Sequence, residues 1–196
     1  MAFFRPNYKT KTDEELYSQM SSGEKRAFDE LYMRYADKLC YFFLRKLKND
    51  KEKSEDFVHD LFSKIIHKPE LFDTTRSFKT WVYSIANNMC INEYKKMSVR
   101  SNTSIGLDES YNIRNFERSQ DSNVHYNDFK QSLDSALVEM DSKHSEVFEL
   151  RFFQDLSIKE IAEIVGINDG TVKSRLFYAS KRLAQKLGDF NPILNE

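Results

Sequence analysis

Leu156–Leu187 reads LSIKEIAEIVGINDGTVKSRLFYASKRLAQKL, and this stretch decides the fold. Ser157 followed three residues on by Glu160 is a capping box, so a helix begins there. Ile158, Ile161, Ala162 and Val165 recur at i, i+3, i+4 and i+7, one apolar stripe on a helix. Gly166 can take the left-handed conformation that ends it. Asn168 is a good N-cap for a second helix, whose stripe is Val172, Leu176, Ala179, Leu183 and Leu187. Lys173, Ser174, Phe177, Tyr178 and Lys181 fall on the opposite face. A short helix, a glycine turn and a second helix with donors on its outer face make a helix-turn-helix. A helix of that width fits the DNA major groove.

An ordinary helical hairpin with a solvated face is the competing reading. Two details oppose it. From Gly170 to Leu187 there are five Lys or Arg and no acid, whereas a merely soluble face mixes both signs. That face also carries Phe177 and Tyr178, which a solvated helix has no reason to expose.

GTVKSRLFYASKRL after an S-x-x-E-I-A helix resembles the −35-reading segment of bacterial RNA polymerase σ factors, best matched in the extracytoplasmic-function group of the σ70 family. Three upstream strings extend the resemblance. Residues 55–66, EDFVHDLFSKII, resemble the helix that docks on the polymerase clamp. Residues 78–96, FKTWVYSIANNMCINEYKK, resemble the helix that opens and reads the −10 element. Ala27–Leu47, AFDELYMRYADKLCYFFLRKL, resembles the opening helical segment. Asp13 to Leu187 is covered, nearly the whole chain.

Composition agrees with a helical protein. Five Gly and three Pro in 196 residues are too few for a turn-rich β protein. Sixteen Phe and ten Tyr suffice to fill small helical cores. Cys40 and Cys90 lie in apolar helical contexts without C-x-x-C spacing and read as core thiols. MAFFRPNYK is broken by Arg5 and Pro6 and does not read as a signal peptide. No apolar run approaches the roughly 20 residues that cross a bilayer. A cytoplasmic protein without membrane insertion is the expectation. The net charge of −1 argues against a free, non-specific DNA binder. It suits a protein delivered to DNA by a larger machine, which needs no affinity of its own from counterion release.

The apolar period disappears from Ser98 to Asn127, SVRSNTSIGLDESYNIRNFERSQDSNVHYN, which reads as a linker. Before it lie three or four helices. After it, Phe129, Leu133, Ala136, Leu137 and Met140 mark a helix over Asp128–Met140. A further helix is expected over Glu146–Phe153, ahead of the helix-turn-helix. The fold expected is all-α: two small helical domains, 13–97 and 128–190, joined by a flexible linker over 98–127. By resemblance the first is a region 2-like domain that binds the clamp, recognises the −10 element and melts it. The second is a region 4-like domain that recognises the −35 element.

In Phe78–Met97, Phe78, Val82, Ile85 and Met89 are expected to make the buried stripe. Thr80, Tyr83, Ser84, Asn87 and Tyr94 are expected outward, with Trp81 and Asn88 at the boundary. Rings can stack unpaired bases and amides can bond to base edges. Taken singly, Trp81 reads as a core residue and the two amides as surface groups; the combination with the resemblance favours DNA. The preceding loop, KPELFDTTRS (Lys68–Ser77), corresponds to the family's pocket for a flipped −10 base. There Phe72 matches a lining position, and Asn88 and Asn92 match positions on the adjoining helix. Lys79, Trp81, Tyr83 and Asn87 complete the −10 set. Ser84 and Asn87 stand where many members carry Arg, which puts a phosphate contact there in doubt. Asp56, Asp60, Phe62 and Lys64 fall on the clamp-binding helix by resemblance. Charges around an apolar anchor suit a specific helix interface, and a solvated charged face is the competing reading. Phe57, Leu61 and Ile65 have the spacing of a core-facing row.

By resemblance the −35 set is Arg151, Thr171, Lys173, Ser174, Arg175, Phe177 and Tyr178. Thr171, near the helix start, can donate to a phosphate alongside backbone N–H groups. Lys173 and Ser174 can reach bases or phosphates, and Phe177 can meet a thymine methyl. Tyr178 replaces an Arg common in the family, so a different base can be read there. Arg175 flanks the set, and an ion pair competes with a phosphate contact.

The four His are dispersed, and no Gly-rich phosphate loop or nucleophile–base pairing appears. No enzyme, cofactor or metal is expected. The resemblance implies a promoter-specificity subunit whose partners are core RNA polymerase and promoter DNA, with an anti-σ factor as a further partner. A stand-alone helix-turn-helix regulator is the alternative, but leaves EDFVHDLF and FKTWVYSIANN without a role. A helical interaction module that has lost DNA binding is opposed by the acid-free second helix.

Overall fold

The computed structural model describes residues 7–101 and 124–188. After a 3-10 turn at Tyr8–Thr10 come α1 (Asp13–Ser21), α2 (Lys25–Lys46), α3 (Lys51–His67), α4 (Phe78–Ser101), α5 (Val124–Val138), α6 (Ser142–Phe152), α7 (Ile158–Val165) and α8 (Asp169–Lys186). A second 3-10 turn, Pro69–Leu71, lies between α3 and α4. Among the described residues every regular element is helical. They fall into two compact units, one on each side of residues 102–123.

The first unit is built around α2. Ala27, Leu31, Tyr35, Leu39 and Phe43 recur every four residues and are all buried. They meet Leu16 and Tyr17 of α1, Val58, Leu61 and Ile65 of α3, and Phe78 and Val82 of α4, all buried as well. Each buried Leu, Ile, Val or Phe among them contributes about 1.5–3 kcal/mol of transfer free energy. Capping fixes the starts: Thr12 and Glu15 form a capping box on α1, and Asp50 accepts the Lys53 N–H on α3.

Arg34, on α2, fastens the segment ahead of α1. Its Nη1 donates to the Lys11 carbonyl at 2.9 Å and to Asp13 Oδ1 at 2.7 Å. Its Nη2 donates to the carbonyls of Tyr8 and Lys9, both at 3.1 Å, and its Nε to Glu30 at 2.9 Å. The neighbouring Tyr35 hydroxyl donates to the other oxygen of Asp13.

In the second unit, Ala136, Leu137 and Met140 pack with Ala179 and Leu183 of α8. Ser157 and Glu160 form the expected capping box, Gly166 closes α7 at φ 72°, and Asn168 caps α8.

Three expectations are corrected. Residues 98–101 and 124–127, assigned to the linker, are helical. The outer turns of α4 are exposed all round from Tyr94 to Val99, so the apolar period fades without a helix breaker. The rest of the expected linker, 102–123, lies outside the described residues. The helix expected over Glu146–Phe153 begins earlier, at Ser142, where Asp141 accepts the Lys143 N–H. The buried face of α4 is rotated roughly a quarter turn from the expected stripe. Thr80, Tyr83 and Asn87, expected outward, are buried, whereas Ile85 and Met89 are only half-buried. The helix packs against α1, α2 and α3 together, so its buried arc spans about half its circumference and takes in polar side chains.

Candidate nucleic-acid interface

The reading helix is α8. Val172 and Ala179 are fully buried and Leu183 nearly so, which turns the other side of the helix to solvent. There Phe177 is 63% exposed and Tyr178 57%, with Lys173, Ser174 and Lys181 exposed beside them. The Phe177 and Tyr178 rings meet edge-on, centroids 5.6 Å apart. His144, of α6, carries no local pattern that points to this face, yet its ring lies edge-on to Tyr178 at 6.0 Å. Leaving two large rings in water costs hydrophobic free energy, a reason to expect a ligand.

Thr171 and Arg175 are half-buried at the margins of this face. The Thr171 N–H donates to Asn168 Oδ1 at 2.7 Å, and the Ser174 hydroxyl donates to the Thr171 carbonyl at 3.0 Å. Ser174 therefore offers its lone pairs outward while its proton is held by the helix. Arg151 is exposed at the end of α6, and its Nη1 donates to the Leu156 carbonyl at 2.9 Å. That bond holds the guanidinium at the edge of the helix-turn-helix.

In the first unit α4 brings only part of the expected −10 set to the surface. Asn88 and Asn92 are exposed one turn apart, and Trp81 lies seven residues before Asn88 in the same row, half-buried. Lys79 is half-buried at the head of the helix. Tyr83 and Asn87 lie on the inner side; Tyr83 is 0% exposed, and burial pushes its phenol well above the ordinary tyrosine range. Phe72 is likewise buried, its ring 4.8 Å from Trp81, 4.9 Å from Tyr17 and 5.5 Å from Phe78. In this structure it supports the loop from beneath rather than lining an open pocket.

The loop between Phe72 and α4 is a tight turn. Asp73 Oδ1 accepts the Thr75 N–H at 3.0 Å and the Thr75 hydroxyl at 2.8 Å. These bonds hold the Asp73 carboxyl below its ordinary range. The Arg76 N–H donates to the Asp73 carbonyl at 3.0 Å, and residues 73–77 form an exposed crest.

On α3, Asp56, Asp60 and Lys64 are exposed at i, i+4 and i+8, one charged line along the helix. Phe62, expected among them as an apolar anchor, is only 3% exposed, its ring 4.8 Å from Tyr32 and 5.9 Å from Phe28. Leu61 and Ile65 face the core as expected, with Phe57 half-buried against Phe43. Among the described residues no group of three or more His, Cys, Asp or Glu is placed to hold a metal ion, and no helix is long and apolar enough to cross a membrane.

Residues 31–99 match the family described as Sigma-70 region 2, and residues 130–183 match Sigma-70, region 4. The chain is 30% identical over 175 residues to the ECF RNA polymerase sigma factor SigL of Mycobacterium tuberculosis, covering 87% of this chain and 96% of that protein. It is 28% identical over 176 residues to the ECF RNA polymerase sigma factor BldN of Streptomyces coelicolor, covering 89% of this chain and 66% of that longer protein. The sigma factor RpoE from Bartonella quintana, solved in complex with the anti-sigma factor NepR, aligns over 82% of this chain and 96% of that one, with a TM-score of 0.67 at 24% identity, a shared fold. The helix-turn-helix with its cationic outer face, the helical unit ahead of it and both region matches converge: the chain belongs to the extracytoplasmic-function group of the σ70 family of RNA polymerase σ factors.

Proposed function

We propose that this σ factor divides promoter reading between α8, for the −35 element, and α4 with the crest at 73–77, for the −10 element. A σ factor binds core RNA polymerase and directs promoter-specific initiation. The observation that carries the residue-level reading is the outer face of α8: no acid from Gly170 onward, two exposed rings, and Val172, Ala179 and Leu183 buried on the opposite side. Lys173, Ser174, Phe177 and Tyr178 meet the groove, while Thr171, Arg151 and Arg175 hold phosphates at its edges. At the −10 element, Trp81, Asn88 and Asn92 meet the opened strand, with Lys79 on its backbone. Tyr83, Asn87 and Phe72 serve by shaping that surface from within. On α3, Asp56, Asp60 and Lys64 form the polymerase contact, with Phe62 setting the helix from beneath.

The protein acts in the cytoplasm as an initiation factor and carries out no catalytic step of its own. The sigma factor RpoE is solved in complex with the anti-sigma factor NepR, and CnrH in complex with the cytosolic domain of CnrY. Their likeness in fold supports an anti-σ factor as the regulator of this chain.

Transcription by core polymerase loaded with the full chain tests this reading, on promoters taken from transcripts induced by overexpression. Asp60→Arg should weaken core binding in competition while the free protein keeps its helical spectrum. Promoter-specific transcripts absent under all conditions, or DNA binding without any polymerase association, would favour a stand-alone regulator.

A further inference from the structure

The crest at 73–77 is held from outside α4. Glu14 and Tyr17 lie on α1, which precedes the matched span 31–99. Glu14 Oε1 accepts the Phe78 N–H at 2.9 Å, satisfying an orphan donor at the first residue of α4. The Tyr17 hydroxyl donates to the Pro69 carbonyl at 3.0 Å. One face of α1 therefore grips the loop at both ends.

The middle of the loop is held from below. Tyr17 is 1% exposed, and its ring lies 4.9 Å from Phe72, 5.6 Å from Phe78 and 5.7 Å from Trp81. Asp73 closes the crest on itself through Thr75 and Arg76. A segment fixed at its ends, beneath and within has little freedom left to lose when a ligand arrives.

We infer that α1 is a brace for −10 recognition, in which Glu14 and Tyr17 act as positioning residues that set the shape of the 68–77 loop for an unpaired base. The inference rests on the reading that this loop meets the opened −10 strand. Neither residue touches DNA. Phe78 begins α4, so the same grip couples the loop to the row of Trp81, Asn88 and Asn92. The unpaired base and its neighbours then meet one rigid surface rather than two.

A merely structural role lowers the folded fraction, which scales activity on every promoter alike and cancels in a ratio. The informative measurement is therefore discrimination: holoenzyme carrying the full chain, open-complex formation on a promoter library randomised over the −10 element, and permanganate reactivity as the signal. Tyr17→Phe keeps the ring and deletes the hydroxyl; Glu14→Ala deletes the acceptor. Each should flatten the preference at one −10 position by about fivefold or more, the fold-change of one net intramolecular hydrogen bond. Glu14→Gln keeps an oxygen acceptor and should restore the preference. Competition for core polymerase and discrimination at the −35 element should not change.

A third substitution separates the brace from the reading beneath it. If replacing residues 73–77 by a glycine–serine crest alters −10 preference while Tyr17→Phe and Glu14→Ala do not, α1 is only a packing helix. If the replaced crest leaves −10 preference intact, the loop is not the reader, and the inference falls with the reading that supports it.

Discussion

Ser174 and Tyr178 are one turn apart on α8, and each has its buried counterpart behind it in Val172 and Ala179. Truncating an exposed member of this face should leave stability within about 0.5 kcal/mol. A lost base contact should cost roughly 1–3 kcal/mol of discrimination at one promoter position. A lost phosphate contact should weaken all promoters alike and flatten the salt dependence. Ser174→Ala and Tyr178→Ala are expected to give the first pattern, Thr171→Ala the second, and Lys173→Ala either, since an ammonium reaches both a guanine edge and a phosphate. Transcription from a library of −35 variants at several salt concentrations separates them. Unchanged sequence preference and promoter affinity in all four would remove α8 as the reading head. The exposure of this face was legible because every inward residue is apolar and every outward one is polar or aromatic. Tyr83 and Asn87 broke that rule. Their polar groups suggested solvent, yet α4 is surrounded by three helices and buries them. No local pattern records such encirclement.

The helix-turn-helix was readable as an element because its devices are local. Ser157 bonds to Glu160 three residues away, Asn168 to Thr171 at the same spacing, and Gly166 sits at φ 72° between them. The brace was not readable. Tyr17 and Pro69 are 52 residues apart and Glu14 and Phe78 are 64, and no periodicity carries a partnership over that distance. The turn itself makes a sharp test. A Cβ on Gly166 would meet nothing within 4 Å, so Gly166→Ala introduces no clash. Its cost is conformational only, about 1–2 kcal/mol for a left-handed L-residue. Denaturant unfolding of the second unit should shift by that amount, and the shape of the −35 preference should persist in the folded fraction. A neutral midpoint would mean that the turn relaxes to another geometry.

For the molecule as a whole, titration distinguishes the two units. Tyr17 is pushed up to about 12 by burial and the nearby Glu70. Tyr35 is pushed further by burial and its bond to Asp13, and Tyr83 by burial alone. All three belong to the first unit. In the unfolded chain a tyrosine releases its proton near 10.0, while these three keep theirs in the folded state. The folded state then binds more protons, so stability falls as pH rises above 10. Absorbance of these tyrosinates should appear together with loss of helical signal, above the titration of the exposed tyrosines. A single midpoint for all ten tyrosines with unchanged circular dichroism would contradict the burial of these phenols. The two-unit, all-helical architecture itself was legible in the chain: few glycines and prolines, helical apolar periods on both sides, and a central stretch lacking them. The ends of that stretch, 98–101 and 124–127, are helical without showing it, because exposed helical turns leave no apolar mark.

The grip of Arg34 reaches one step further. Two of the carbonyls it holds, those of Lys9 and Lys11, belong to the peptide bonds that trypsin would cut. To enter the protease cleft those bonds must extend and surrender their carbonyl oxygens, which Arg34 opposes at both. The leading segment should therefore resist digestion despite its exposed Lys9, and nicking should follow local opening rather than accessibility. Arg34→Ala should convert the same bonds into early cleavage sites, seen by mass spectrometry as rapid loss of the first nine or eleven residues. Equal digestion rates for the two proteins would mean that the segment is released as readily with the guanidinium as without it.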